Sequence, residues 1–160
     1  MNVADVVRAL KTDIHVSDWR SGHIPRASFP LSHARAKAYN FGPDYKWRIV
    51  TFDCLRHSFR LLILLNENKE IYRATLGIEA DSDLIVLCQY EFHASEPGWH
   101  CHVTFREADS LPHGVTRTHL RRWPGFGVAP SRPDFGAKQS NAVGLATTRF
   151  RVSLLGDLGL

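Results

Sequence analysis

Alternating apolar and polar positions dominate the chain between residues 45 and 106. Successive side chains of a β-strand point to opposite faces of a sheet, so a period of two predicts strands. Polar turn segments at 66–69 and 81–83 separate the alternating runs. The pattern predicts an antiparallel meander of about five strands, at residues 45–54, 58–65, 70–79, 84–93 and 99–106.

The segments on either side of this region follow a helical period. Residues 2–11 place four apolar side chains on one stripe, and residues 141–155 repeat apolar positions at helical spacing. Residues 12–44 have no clear period and contain several glycines and prolines. These patterns predict a single domain, residues 1–160, of the α+β class. Its antiparallel sheet of about five strands would be flanked by an N-terminal helix and a C-terminal helix.

The composition is that of an ordinary globular protein, with 44% hydrophobic and 22% charged residues. No apolar run approaches the ~20 residues that span a bilayer, and the N-terminal segment lacks a secretory-signal pattern. We therefore expect a cytoplasmic protein with no membrane partner. Cys54, Cys88 and Cys101 lie within apolar strand patterns without C-x-x-C spacing, which predicts reduced core thiols.

Histidines concentrate in the last predicted hairpin, where three of the nine fall within ten residues. Apolar positions are even-numbered in segment 84–93 and odd-numbered in segment 99–106. Paired strands must place both apolar sets on one face, so the polar residues share the other face in any allowed register. The residues of this polar face are Gln89, Glu91, His93, His100, His102, Thr104 and Arg106.

The turn of this hairpin is predicted at residues 95–98, where proline and glycine occur together. It would place His93 opposite His100 and Glu91 opposite His102. Cross-strand neighbours lie about 5 Å apart, so the imidazoles and the carboxylate can meet at one point. A polar, solvated face is also the ordinary property of an antiparallel hairpin, and this reading stays open.

Metal-free acid–base chemistry on a phosphodiester is the first functional hypothesis. Histidines in different protonation states can act as base and acid near neutral pH. The catalytic residues would be His93, His100 and His102, with Glu91 orienting the imidazoles. This hypothesis predicts a metal-independent phosphodiesterase or ribonuclease, or a protein that binds nucleic acid or a nucleotide.

Basic residues near the hairpin support a phosphate-bearing ligand, and the formal net charge is +4. The substrate-binding residues would be Thr104, Arg106, Arg117, His119 and Arg121. The H-x-T sequence at 102–104 resembles one motif of the two-histidine phosphoesterases, which have two such motifs. The sequence His-Val-Ser at 15–17 is the candidate second copy.

Metal binding is an alternative, because His100 and His102 place two imidazoles on one strand face. His93 or Glu91 would supply a third ligand. The H-x-H-x4-E-x6-G segment at 100–114 resembles the first motif of the cupin family, which implies a metal-binding β-barrel. The glutamate of that segment falls on the opposite strand parity from the histidines, and no second cupin motif follows.

A non-enzymatic module that binds a protein partner, of the toxin–antitoxin or phage-defence type, is a further alternative. The imidazole face with Trp99 nearby would then be the partner surface. A concave pocket around the imidazoles favours chemistry, and a flat face favours a partner. The sequence pattern does not indicate a particular cofactor.

Overall fold

In the part of the chain that the structure describes, eight strands form a single antiparallel sheet. The computed structural model describes residues 1–125, 128 and 133–154, apart from the side chain of Pro97. The strands are β1 Thr12–Val16, β2 Arg20–Ser21, β3 Lys46–Cys54, β4 His57–Asn66, β5 Ile71–Ala80, β6 Asp83–His93, β7 Glu96–Val103 and β8 Arg121–Trp123. They follow the order β1-β3-β4-β5-β6-β7-β8, and β2 also pairs with β3.

The predicted sheet of about five strands flanked by a helix at each end is wrong. Strands β1 and β8 extend the sheet at its two edges, and β2 lies beside β3. All residues of β1 except Ile14 are exposed, and β8 has three residues. Short edge strands that bury little carry no alternating apolar pattern, so the sequence offered no signal for them.

The N-terminal helix is much shorter than predicted. Helix α1, Val3–Arg8, has six residues, and the longer helix α2 covers Ala142–Phe150. The ammonium group of Lys11 donates to the carbonyls of Val6 and Ala9 at 2.6 and 2.8 Å, which satisfies the end of α1 and lets the chain turn into β1. In the described part of the chain, no helix has the length and apolar character needed to cross a membrane.

Apolar layers cover both faces of the sheet. Against one face pack α1 and α2, and the Tyr72 hydroxyl donates to the carbonyl of Ala142 in α2 at 2.7 Å. Against the other face packs segment 22–41, whose Ile24, Phe29 and Tyr39 are buried. Segment 22–41, predicted to be irregular, is therefore a second core layer of the fold.

A β-bulge in β6 decides which face the later residues of that strand occupy. Leu76 pairs with Cys88, whereas Gly77 pairs with Val86, so β6 contains one extra residue. Because side chains alternate, Leu84 and Val86 pack against segment 22–41, while Cys88 packs on the α2 side. The prediction that the apolar residues of β6 from Leu84 to Phe92 share one face of the sheet is therefore wrong for the residues before the bulge. Polar residues that follow the bulge lie beside segment 22–41.

Gly114 anchors the connection between β7 and β8. It has φ +69°, a left-handed conformation that residues with a side chain rarely adopt. Its N–H donates to the carbonyl of Leu84 at 2.8 Å, and its carbonyl accepts from the N–H of His33 at 3.0 Å. A Cβ at this position would lie against the side-chain oxygens of Ser32 and Asp83.

We expect Gly114→Ala to lower the free energy of unfolding by about 1–3 kcal/mol, because it combines backbone strain with a steric clash. Urea denaturation followed by circular dichroism measures this loss. Gly144→Ala is the matched control, since that glycine lies in α2 with open space around it. The control should be neutral or stabilise by up to about 1 kcal/mol. Equal losses in both variants would contradict the role assigned to Gly114.

Candidate functional site

The β6–β7 hairpin carries the polar residues predicted to share a face. Glu91 pairs with His100, and His93 pairs with Glu96. The predicted turn at 95–98 is wrong, since residues 94 and 95 form the turn and β7 begins at Glu96. At Glu91, the pairing of β6 with β7 is therefore shifted by two residues from the predicted pairing. A slip of two leaves every side chain on its face, so Glu91, His100 and His102 still converge.

Five side chains form what we call the histidine–glutamate cluster: Glu91, His93, Glu96, His100 and His102. The Oε1 atom of Glu91 lies 3.0 Å from Nε2 of His102, 3.5 Å from Nε2 of His100 and 3.6 Å from Nε2 of His93. The Oε2 atom of Glu96 lies 3.2 Å from Nε2 of His100. Three imidazoles thus present the same ring nitrogen to one carboxylate oxygen.

The cluster is buried at its centre and accessible at its rim. The side chains of Glu91 and His100 have no exposed surface, and that of His102 is 6% exposed. His93 is 18% exposed and Glu96 is 25% exposed. A small ion or a proton can therefore bind at the buried centre, whereas a larger ligand can contact the side chains at the rim.

Three arginines surround the two carboxylates. The Nε of Arg73 donates to Oε2 of Glu91 at 2.8 Å, and the Nε of Arg122 donates to Oε2 of Glu96 at 2.9 Å. The guanidinium of Arg117 lies 3.2 Å from Oε1 of Glu91, and it also donates to the imidazole of His102. With neutral imidazoles, the three guanidinium and two carboxylate groups leave one net positive charge, which favours an anion at the rim.

The electrostatic environment shifts the pKa values of the neighbouring imidazoles of His100 and His102 in opposite directions. Burial lowers the pKa of His102 to about 4, so this ring is neutral at pH 7. Burial also opposes charge on His100, but contact with Glu91 and the carbonyl of Gly98 raises its pKa above the usual range. Burial alone would raise the pKa of Glu91. Contact with His100 and the charges of two arginines instead hold that pKa well below the usual range.

The predicted substrate-binding residues on the strand end do not reach the cluster. The Oγ1 of Thr104 accepts a hydrogen bond from the backbone N–H of Arg106 at 3.1 Å. The guanidinium of Arg106 donates to the carbonyl of Ser110 at 2.7 Å. Both side chains thus stabilise the loop that follows β7.

The other three predicted contacts lie in different places. Arg117 joins the cluster, whereas the Nε2–H of His119 donates to the carbonyl of Val86 at 2.6 Å. Arg121 alternates with Arg122 along β8, so it points to the opposite face of the sheet from the cluster. The structure therefore brings one of these five residues, Arg117, to the imidazoles.

Neither family motif is assembled by the fold. Glu107, the glutamate of the cupin-like segment, forms an ion pair with the amine of Met1 instead of approaching the histidines. His15 lies on β1, and four strands separate β1 from β7 in the sheet. At about 4.8 Å per strand, His15 is roughly 24 Å from His102, too far for a shared site.

The predicted site residues did not include Arg73, Glu96 and Arg122. Arg73 sits directly opposite Glu91 on β5, but the β6 bulge obscures this pairing in the sequence. Glu96 and His100 are an even number of residues apart in β7, so their side chains point to the same face of the sheet. This spacing was the sequence signal that could have assigned Glu96 to the cluster. The Pro-Gly sequence at 97–98 concealed it, because these residues are typical of a turn.

A groove of about 670 Å³ adjoins the cluster, and it is lined by Arg73 and Arg117, which both contact Glu91 of the cluster. Among the described residues that line the groove, none is acidic. The basic ones are His33, Arg35, Lys37, Arg73 and Arg117. Its apolar wall comprises Phe29, Leu31, Ala34, Ala38, Tyr39, Phe41, Leu62, Leu64 and Val115. The cluster therefore opens beside a concave, cationic and partly aromatic surface.

The chain was compared with protein-family models, with curated proteins and with solved structures. None of the three comparisons found a match. A functional interpretation therefore depends on the geometry and charge of the cluster and of the groove beside it.

Proposed function

We propose that the protein binds a phosphate-bearing ligand, namely a nucleotide that is free or part of RNA, in the groove beside the histidine–glutamate cluster. The observation that carries this proposal is that Arg73 and Arg117 line the groove and also form ion pairs with Glu91 of the cluster. Guanidinium groups match phosphate oxygens in charge and in bidentate geometry. A phosphate between these two arginines would therefore lie next to the imidazoles.

The composition of the groove wall supports a nucleotide over a bare phosphate ion. The basic side chains of His33, Arg35 and Lys37 are exposed, and the half-buried Phe41 contributes an aromatic side chain to the apolar wall. Aromatic and apolar surface binds nucleobases, at about 1–3 kcal/mol per stacked base. The volume of about 670 Å³ is also typical of small-molecule sites.

Cleavage of a phosphodiester is the activity that we propose for this arrangement. A phosphate held by Arg73 and Arg117 would face His93 and Glu96, the exposed part of the cluster. Hydrolysis of an RNA oligonucleotide by the wild type, by His93→Ala and by His102→Ala tests this step. Equal rates in all three proteins would remove the catalytic part of the proposal and leave the binding part.

We expect the double variant Arg35→Gln/Lys37→Gln to bind a fluorescent hexaribonucleotide about tenfold more weakly, with a salt slope reduced by about two. Fluorescence anisotropy at several salt concentrations measures both quantities. Both side chains are exposed, so the fold should be unaffected. Arg121→Gln removes one positive charge from the opposite face of the sheet and should leave the affinity within about twofold of the wild type.

Competition with small ligands distinguishes a free nucleotide from RNA as the natural ligand. A nucleoside 5′-monophosphate should displace the hexaribonucleotide, whereas the nucleoside without phosphate should not. Displacement only by longer RNA would assign the groove to RNA. No binding of either ligand at low salt, or the same loss in Arg121→Gln as in the double variant, would contradict the proposal.

A further inference from the structure

Two buried atoms in the histidine–glutamate cluster form no hydrogen bond with a described residue. The Nδ1 of His100 lies 3.0 Å from the carbonyl of Gly98, and a carbonyl only accepts, so Nδ1 carries the hydrogen. In the neutral form of the ring, Nε2 presents a lone pair toward Oε1 of Glu91, 3.5 Å away. Neither atom has a hydrogen-bond partner among the described residues, although Arg117 forms an ion pair with Oε1 at 3.2 Å. A positive charge between the two atoms, either a proton on Nε2 or a metal ion, stabilises this arrangement.

His102 adds a third acceptor at the same point. Its Nε2 accepts from Arg117 and lies 3.0 Å from Oε1 of Glu91. The ligand atoms of Glu91, His100 and His102 all lie within 4.8 Å of one another. This convergence is independent of anything that occupies the groove.

The separations between these atoms fit a metal ion. Zinc–nitrogen bonds of about 2.0–2.1 Å place neighbouring ligand atoms of a tetrahedral site roughly 3.3 Å apart. The Nε2 atoms of His102 and His100 lie 3.0 and 3.5 Å from Oε1 of Glu91. Imidazole and carboxylate ligands without a thiolate suit Zn²⁺, Fe²⁺, Mn²⁺ and related ions.

We propose that Glu91, His100 and His102 bind one divalent transition-metal ion. The outer contact of the His100 ring is that of a metal-binding histidine, whose second nitrogen is held by a carbonyl or another polar group. The carbonyl of Gly98 holds Nδ1 of His100. The site goes beyond nucleotide binding and does not depend on it.

Arg117 occupies the position of the ion in the absence of metal. Its guanidinium contacts Oε1 of Glu91 and the imidazole of His102, which are the proposed ligands. The side chain is 38% exposed and also lines the groove, so it can turn outwards when an ion binds. Metal binding would then release a guanidinium toward the groove.

The test uses full-length protein that has been stripped with a chelator and dialysed. Isothermal titration with Zn²⁺ should give one ion per chain, and Co²⁺ should give the visible absorption bands of a four- or five-coordinate site. His102→Ala should weaken Zn²⁺ binding by at least about 100-fold, and His100→Gln by a similar factor. His57→Ala is the control, because that histidine is exposed at the start of β4 and should not alter binding.

Several results would overturn the metal site. These are the absence of stoichiometric binding, unchanged affinity in both cluster variants, or an equal loss in His57→Ala. Circular dichroism shows whether His102→Ala folds, and His100→Gln, which keeps a polar side chain at another proposed ligand, provides a second measurement if it does not. Anisotropy with RNA in excess chelator separates the two proposals, since nucleotide binding there would persist even if the metal site were absent.

Discussion

Replacing Glu91 with alanine is expected to lower the free energy of unfolding by about 3 kcal/mol. Removing one partner of a buried ion pair typically costs about 3–5 kcal/mol, because the remaining charge stays buried without a counter-charge. Glu91 is completely buried, whereas Arg73 and Arg117 are 36% and 38% exposed. These arginines can regain water when the carboxylate is removed, so we expect the lower end of the range.

Chemical denaturation at pH 7 in the presence of chelator measures this loss without any contribution from bound metal. Glu96→Ala is the matched control, since Glu96 belongs to the same cluster and contacts Arg122 but is 25% exposed. Its loss should be less than half of that for Glu91→Ala. Equal losses, or a loss below about 1 kcal/mol for Glu91→Ala, would show that the buried carboxylate does not hold the cluster together.

The cluster could be predicted from the sequence because it depends on strand parity alone. Glu91, His93, His100 and His102 meet on one face even though the turn lies elsewhere and the register differs by two residues. A two-residue slip conserves faces, whereas the position of a turn depends on small local energies. Parity therefore gave four of the five members of the cluster, all except Glu96, but not the distances between them.

The contacts of Arg73 and Arg117 with Glu91 could not be predicted from strand parity. Arg73 lies opposite Glu91 only because β6 contains a bulge, and a bulge shifts the register without a distinct sequence signature. Arg117 reaches the cluster from a loop whose path is fixed by Gly114 and its contacts with Leu84 and His33. Such long-range loop contacts have no periodic signal in the chain.

The sequence contains a signal that a second core layer covers the sheet. The run 59–65 is almost continuously apolar, which is typical of a strand covered on both faces. Two helices can cover one face, so another segment had to cover the second. Segment 22–41 contains Ile24, Phe29 and Tyr39 and supplies this cover. The same packing positions Arg35 and Lys37 along the groove.

Arg117→Gln is expected to shift the two proposed affinities in opposite directions, each by about tenfold. The guanidinium contacts Glu91 and His102, so its removal frees two metal ligands and takes away a positive charge beside the ion. Zn²⁺ should therefore bind more tightly to the variant. Arg117 also lines the groove, so the hexaribonucleotide should bind more weakly.

The ratio of the two affinities should then change by about 100-fold, or about 2.7 kcal/mol. Isothermal titration with Zn²⁺ and anisotropy with RNA measure the two affinities on the same protein preparation, and Arg121→Gln should change neither. Because binding linkage is reciprocal, RNA should also strengthen Zn²⁺ binding by the factor by which Zn²⁺ strengthens RNA binding. If both affinities fall together in Arg117→Gln, the arginine supports the structure of the site and does not exchange between the metal and the phosphate.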